Sequence, residues 1–427
     1  MSRPAGTTAI VCPYTGSWFS DGDDIKNMRA CLKCFAGCVL AISTLSISSS
    51  LYAQQHLPTP AEQKRIDEAT ANHVGDAPDN AGPLAKDLSP KLKPKAVEAA
   101  IRKVADWELQ RSQPYFGNDW TWSVLYTGFM AASETTGDSN YSDAMLEVGK
   151  KFNWQLKSHL PNADNQSIGQ TYTELYMQKH DPEMIAGTTA ELDDLIAHEQ
   201  DPAAKIPWWW CDALYMAPPL WVRMYAITHD GKYLDYMDRE WWKTSNLLYD
   251  PQEHLYFRDA TYLTRTEENG KKMFWSRGNG WVLAGFARVL QYLPKDDPRR
   301  EKYVRQYKEM AAKLITLPGK DGLWRSGLLD PDYYVVPENS GSALITYGLA
   351  YGVNEGILDR KTYAPVVEHA WKGLVSYIYA DGRLGSIQQV GAAPAFYKPT
   401  SSFNFGIGDF LLAGSEVDRM AKSRKDK

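Results

Sequence analysis

Apolar residues recur along most of this chain at spacings of three and four, the period of a helix buried on one side. Val97, Ile101, Val104, Ala105 and Leu109 trace one such face. From about residue 95 the texture does not stop. The spacing predicts six helical pairs: 97–110 with 123–136, 141–156 with 168–179, 182–198 with 213–228, 233–248 with 280–293, 299–316 with 340–354, and 361–379 with 406–422. First members carry more Lys, Arg, Glu and Asp, as solvated helices do. Second members carry more small residues, such as Gly128, Ala131 and Ala132, or Ala284, Gly285 and Ala287. Small side chains let helices approach closely, which an inner ring needs. Gly137, Gly231, Pro294 and Gly356 punctuate boundaries, as helix ends require.

The expected fold class is therefore all-α: a six-hairpin α/α barrel, with six inner and six outer helices, as one domain over residues 95–420. Sustained strand alternation is absent, and short hairpins such as 255–266 and 323–335 are expected as inserts. An open helical solenoid is the alternative. Unequal repeat lengths argue against it.

A polar or aromatic motif stands before each second helix. The six motifs are Asn118-Asp-Trp-Thr-Trp122, Asn162-Ala-Asp-Asn-Gln166, Pro207-Trp-Trp-Trp-Cys-Asp212, Phe274-Trp-Ser-Arg-Gly-Asn-Gly-Trp281, Val336-Pro-Glu-Asn-Ser340 and Pro399-Thr-Ser-Ser-Phe-Asn404. In a closed ring all six lie at one end. They would build a Trp-rich pocket containing carboxylates and an Arg, a surface that suits a sugar.

Composition narrows the partners. A net charge of −5 gives no reason to expect nucleic acid or an acidic membrane surface. The 15 Trp and 25 Tyr serve core packing in the main, but indole rings clustered in loops also stack on pyranose faces. The basic segment 28–33, the apolar, Ser-rich stretch 35–51 and Tyr52-Ala53 read as a secretory signal over 28–53, cleaved after Ala53. The alternative is an N-terminal anchor that stays. Residues 1–27 read as an upstream extension, 54–94 as a linker with one short helix around 61–72, and 421–427 as a tail. A periplasmic or secreted protein is expected, with no stable membrane insertion after cleavage. Of five Cys, at 12, 31, 34, 38 and 211, only Cys211 would remain, so no internal disulfide is expected. No metal-ligand cluster is legible.

Inner helices directed this way present free N–H groups and positive dipole ends to the pocket, which favours an anion. Arg277, flanked by Trp275 and Trp281, has a planar fork that can hold a carboxylate; the alternative is a pair with a structural carboxylate. Asp212 is either an N-cap or a proton donor. The Trp surface of Trp208, Trp209 and Trp210 would desolvate its carboxyl and raise its pKa. Asp164, before the adjacent inner helix, either caps its loop or shares the pocket as a second carboxylate. Glu338 and Ser340 read as a capping arrangement. His159 and His254 fall in motif-end loops and form no pair.

At these motifs the chain resembles the unsaturated glucuronyl and rhamnogalacturonyl hydrolases, glycoside hydrolase families 88 and 105, and is closer to 105. The matching stretches are Ala163-Asp-Asn-Gln-Ser-Ile-Gly-Gln170, Trp208-Trp-Trp-Cys-Asp-Ala-Leu-Tyr-Met-Ala217, Phe274–Trp281, Glu338-Asn-Ser-Gly-Ser-Ala343 and Gly406-Ile-Gly-Asp-Phe-Leu-Leu-Ala-Gly-Ser-Glu416. The resemblance implies an α/α barrel and an enzyme without cofactor or metal. Its substrate would be a lyase-generated oligosaccharide ending in a 4,5-unsaturated uronic acid, with rhamnogalacturonan as the default source and ulvan or a glycosaminoglycan as alternatives. Asp212 would protonate C4 and then activate a water that adds at C5, with Asp164 at the family's second acidic position. Trp210, Arg258, Trp275, Arg277 and Trp281 would contact substrate. Arg258 stands where some members carry a His, and an ion pair with Asp259 or Glu267 is its other reading. Three rivals remain: an inverting glycosidase using Asp212 and Asp164, a sugar epimerase or isomerase, and a non-catalytic glycan-binding protein.

Overall fold

The computed structural model describes residues 60–75, 81–158, 160–198 and 206–423. After α1 (Pro60–Ala71), six outer helices alternate with six inner ones. The outer helices are α2 (Pro94–Ser112), α4 (Ser139–Lys151), α7 (Glu183–Ala197), α10 (Gly231–Leu248), α12 (Arg300–Leu314) and α14 (Arg360–Val375). The inner helices are α3 (Trp120–Thr136), α6 (Gly169–Lys179), α9 (Pro218–Thr228), α11 (Ser276–Leu290), α13 (Asn339–Asn354) and α15 (Asn404–Lys422). Two one-turn helices, α5 (Ala163–Gln166) and α8 (Ala213–Met216), precede α6 and α9. Each inner helix packs on the next, and α15 returns against α3. The ring is closed: an α/α barrel, not a solenoid.

The sequence explains the burial. Every residue of α11 is buried, as is all of α13 from Asn339 to Val353, while α12 buries one stripe, including Tyr303, Tyr307, Met310 and Leu314. Asp119, Asp138, Asp230, Asp359 and Glu338 cap α3, α4, α10, α14 and α13 through their side chains, each worth about 1 kcal/mol. Where the first and last inner helices meet, two glycines face each other. A Cβ on Gly128 would lie 2.5 Å from Gly408 Cα, and one on Gly408 would lie 2.5 Å from Val124 O.

Three expectations about helices and hairpins need correction. The third inner helix is not continuous over 213–228; it breaks at Ala217-Pro218, because Pro218 and Pro219 lack the N–H groups that would carry the helix through. The hairpin expected at 255–266 starts earlier: β1 (Tyr249–Asp250) pairs with β2 (Leu255–Tyr256), joining Tyr249 to Tyr256 and Asp250 to Leu255. Segment 323–335 pairs outward instead of with itself, through the bridges Trp275–Gly327 and Arg325–Pro337. The stretch expected as a linker is structured where it is described. Its α1 begins at Pro60, Gly75 bridges Phe403 and Leu84 bridges Tyr379, and the described residues make one compact unit. The expected signal at 28–53 lies outside the described residues, as does His159. Among the described residues no helix is long and apolar enough to cross a membrane.

The glycine contact gives a test of the ring closure. Gly408→Ala should force α15 away from α3 and cost about 1–3 kcal/mol. The urea midpoint of the variant should fall accordingly, and an unchanged midpoint would mean the two helices are free to separate.

Candidate active site

The inner-helix N-termini meet at one end of the barrel, and the way each is satisfied decides which side chains remain available. Two acidic residues here are spent on backbone N–H groups: Asp119 accepts from Thr121 N, and Glu338 accepts from Ser340 N and Gly341 N. Asp212 and Asp164 are not. Before α8, main-chain carbonyls do the capping: Ala213 N donates to Trp210 O (3.1 Å) and Leu214 N to Cys211 O (3.1 Å). The Asp212 side chain takes no capping bond. Before α5, Asn162 is the cap, its Oδ1 accepting from Asp164 N (2.8 Å). Both carboxyl groups are thereby left for other work.

Both carboxyls lie in a recess, surrounded by protein yet partly open to solvent. Burial raises the pKa of Asp212; the positive charges of Arg258 and Arg277 and a hydrogen bond from the Cys211 thiol oppose the rise. Asp164 is pushed up to about 7, first by burial and next by the charge of Asp212, with Arg258 opposing. A raised carboxyl pKa keeps a proton available near neutrality.

Aromatic rings crowd this end of the barrel. Trp281 is buried against Tyr215, with ring centroids 4.8 Å apart, and edge-on to Trp120 at 6.4 Å. Trp120 also meets Phe405 at 5.3 Å. The Trp triplet divides: Trp208 is core, Trp210 is nearly buried, and Trp209 stands 48% exposed, its ring 4.9 Å from that of Trp210. Sequence reasoning chose Trp210 and passed over Trp209, because three identical neighbours give no signal of which one faces out.

Arg258 is held at the recess. Its guanidinium lies over the Trp209 ring (5.3 Å) and pairs with Asp259 (2.6 Å), which settles the partner as Asp259 instead of Glu267. Both Asp164 and Asp212 feel its charge.

Arg277 differs from the expected carboxylate fork. It is buried, stacked between Trp275 (4.3 Å) and Phe405 (4.9 Å). Its Nη1 donates to Gln388 O (2.7 Å) and Ser340 Oγ (3.3 Å), its Nη2 to Gln389 O (2.7 Å). Glu338 lies 3.8 Å away, so the structural-carboxylate alternative describes it better. The reason is the segment around Gln388, whose carbonyls reach the guanidinium first. Gln388 also accepts from Trp275 Nε1 (2.9 Å) and Ser326 Oγ (2.5 Å), and its N–H donates to Glu338 (3.0 Å). Trp275 is fixed by this node.

Sequence reasoning missed Gln388, and also Asp119, whose charge contributes to the rise at Asp164. It missed Asp409 as well, a buried carboxyl with neither oxygen hydrogen-bonded and a pKa pushed well above the ordinary range by burial. The motif Gly406-Ile-Gly-Asp was visible, but nothing marked its Asp as buried. Among the described residues no group of His, Cys, Asp and Glu is placed to hold a metal ion.

Known proteins agree with this architecture. A family model described as Glycosyl Hydrolase Family 88 matches residues 93–421. An unsaturated 3S-rhamnoglycuronyl hydrolase of Formosa agariphila is 40% identical over 342 residues, covering 75% of this chain and 90% of the relative. A protein of the same name from Alteromonas sp. (strain LOR) is 31% identical, covering 78% and 89%. Among solved structures, a glycosyl hydrolase family 88 protein from Bacteroides vulgatus superposes with a TM-score of 0.71 at 33% identity, covering 77% of this chain and 99% of that one. A structure described as a polysaccharide lyase gives a TM-score of 0.73 at 32% identity, covering 77% and 98%. The chain is a glycoside hydrolase, and it belongs to glycosyl hydrolase family 88.

Proposed function

We propose that this enzyme removes a 4,5-unsaturated uronic acid from the non-reducing end of a rhamnose-bearing oligosaccharide by hydrating the ring double bond, with Asp212 as acid and then base. The observation that carries this reading is the Asp212 carboxyl: it caps nothing, its pKa is raised, and it stands beside a second raised carboxyl. The names of the two 3S-rhamnoglycuronyl hydrolases support the rhamnose. The Trp-Trp-Trp-x-Asp and Trp-x-Arg-Gly-Asn-Gly-Trp motifs support a reading nearer the related family 105.

Asp212 gives its proton to C4 as the C4–C5 π pair forms the new C–H bond. Positive charge develops at C5 and is shared with the ring oxygen. A water then attacks C5 and loses a proton to the Asp212 carboxylate, which restores the acid. The resulting hemiketal opens at the C5–ring-oxygen bond, leaving C1 as a hemiacetal. That hemiacetal expels the remaining sugar as an alcohol, so one water is consumed overall. Asp164 stays at hand to stabilise the developing positive charge. Arg258, at the mouth beside the exposed Trp209, meets the uronate carboxylate. The segment 28–53 directs export to the periplasm or beyond.

The double bond supplies the assay. On unsaturated rhamnose-linked substrate, alkene absorbance should fall as the shortened sugar appears; a lyase would make it rise, and an ordinary glycosidase would leave the band and cleave saturated analogues. Asp212→Asn should lower kcat by about 10²–10⁴-fold with substrate binding retained. Full turnover in that variant would remove Asp212 from the chemistry.

The acid must be protonated, so kcat/KM should decline as pH rises through the neutral range, where Asp164 titrates at about 7 and Asp212 is raised. The charge of Asp212 raises Asp164, so the two acids hold their last proton as a pair, to a higher pH than either would alone. Asp164→Asn leaves Asp212 as a lone acid, so the alkaline limb should move to lower pH. A limb that stays in place would show that the two carboxyls do not interact.

Arg277→Lys separates support from substrate contact. A lysine cannot bond both the Gln388 and Gln389 carbonyls, so the variant should lose stability, by about 3 kcal/mol if both bonds to the buried cation fail. An unchanged denaturation midpoint with a raised KM would restore Arg277 as the uronate clamp.

A further inference from the structure

The mechanism requires one Asp212 oxygen to carry the proton and face the substrate, yet a carboxyl left free by capping can turn and present either. One oxygen is already engaged. The Cys211 thiol is fully buried and lies 3.1 Å from Asp212 Oδ1, donating to it. Cys211 is itself fixed from three sides. Its backbone N–H donates to Arg258 O (2.8 Å) and its carbonyl accepts from Leu214 N (3.1 Å). Its sulfur packs on the bare face of Gly278 in α11. A Cβ at Gly278 would come within 3.1 Å of Cys211 Sγ, 3.2 Å of Trp275 Cε3 and 3.7 Å of Asp212 Oδ1.

We propose that Cys211 is a positioning residue for the hydration step, its thiol bonding Oδ1 of Asp212 and so reserving Oδ2 for the transferable proton. This rests on the reading of Asp212 as the acid. The choice of sulfur has a chemical reason. A thiol is a weak donor and a small hydrophobe. It orients the carboxyl without stabilising the carboxylate strongly, whereas a hydroxyl in its place would favour the anion more and drain the acid of its proton. The other groups acting on Asp212 are Arg258 and Asp259 from the loop before α11 and Arg277 from α11, while Asp164 on α5 feels the charge of Asp212. A change at Cys211 removes none of these side chains, and its backbone bond to Arg258 O is kept.

Two measurements test this. In the kcat/KM profile, a hydrogen bond to the charged form lowers a carboxyl pKa. The alkaline limb should therefore order as Cys211→Ser lowest, wild type between, and Cys211→Ala highest. A thiol that serves only as packing would change stability and leave the three limbs coincident, and that result would overturn the proposal. The second measurement does not depend on turnover. The S–H stretching band falls in an infrared window clear of other protein absorption. The full-length chain with Cys12→Ser, Cys31→Ser, Cys34→Ser and Cys38→Ser has Cys211 as its one thiol. Its band should move to lower frequency as Asp212 ionises and becomes a better acceptor, and Asp212→Asn should abolish that movement. A band indifferent to pH would overturn the thiol's role. A moving band in an enzyme whose Asp212→Asn variant still turns over would instead preserve the hydrogen bond and sink the assignment of Asp212 as acid.

Discussion

The active end of this barrel depends on how six inner-helix N-termini are satisfied. Each helix start exposes N–H groups that must find acceptors, and a carboxylate is a ready acceptor. At α3 and α13 acidic side chains take that work and are lost to chemistry. At α9 the first two residues are Pro218 and Pro219, which have no N–H to satisfy. The short turn α8 is closed by main-chain carbonyls of Trp210 and Cys211. At α5 an asparagine does the capping. These local solutions release Asp212 and Asp164, and the pairing of two uncapped acids in one recess follows from backbone bookkeeping before any substrate is considered.

A second constraint is the node around Gln388. Its carbonyl, together with that of Gln389, consumes the Arg277 fork, while its side chain holds Trp275 and its N–H is held by Glu338. One buried cation thus links α11, α13 and the segment before α15. Removing one partner of such an arrangement leaves the others unpaired, which is the costly case for buried polar groups. The Trp-x-Arg-Gly-Asn-Gly-Trp motif is accordingly a supporting structure as much as a binding one: Asn279 bonds the backbone of Tyr256 on both sides, through Oδ1 (2.7 Å) and Nδ2 (3.0 Å).

Most of the fold was legible because helical periodicity and the inner–outer contrast in small residues are properties of sequence alone. The six pairs stand within a few residues of their expected places, apart from the break at Pro218. The site was legible in part. Asp212 and Asp164 stood out by lying in motifs at helix starts, but sequence does not tell an uncapped acid from a capping one. Asp119 looks as good a candidate as Asp164 until the hydrogen bonds to Thr121 are seen. The fate of Arg277 was hidden because its carbonyl partners, Gln388 and Gln389, lie more than a hundred residues away along the chain. Gln388 sits in a stretch without periodicity, so nothing local announced it.

The charge balance of the recess constrains how an anionic substrate can enter. Asp119, Asp164, Asp212 and Asp259 all contribute negative charge here, and Arg258 already pairs with Asp259. Arg277 answers Glu338. With every acid ionised, a uronate would meet net repulsion that the helix dipoles offset only in part. A proton retained on the Asp164–Asp212 pair removes one of those negative charges. In the proposed mechanism substrate binding and proton retention therefore favour each other: a bound carboxylate would raise the pKa of the acids beside it, and the protonated acid is the form its first step consumes. The recess is loaded for catalysis by the same charge that makes it hard to fill.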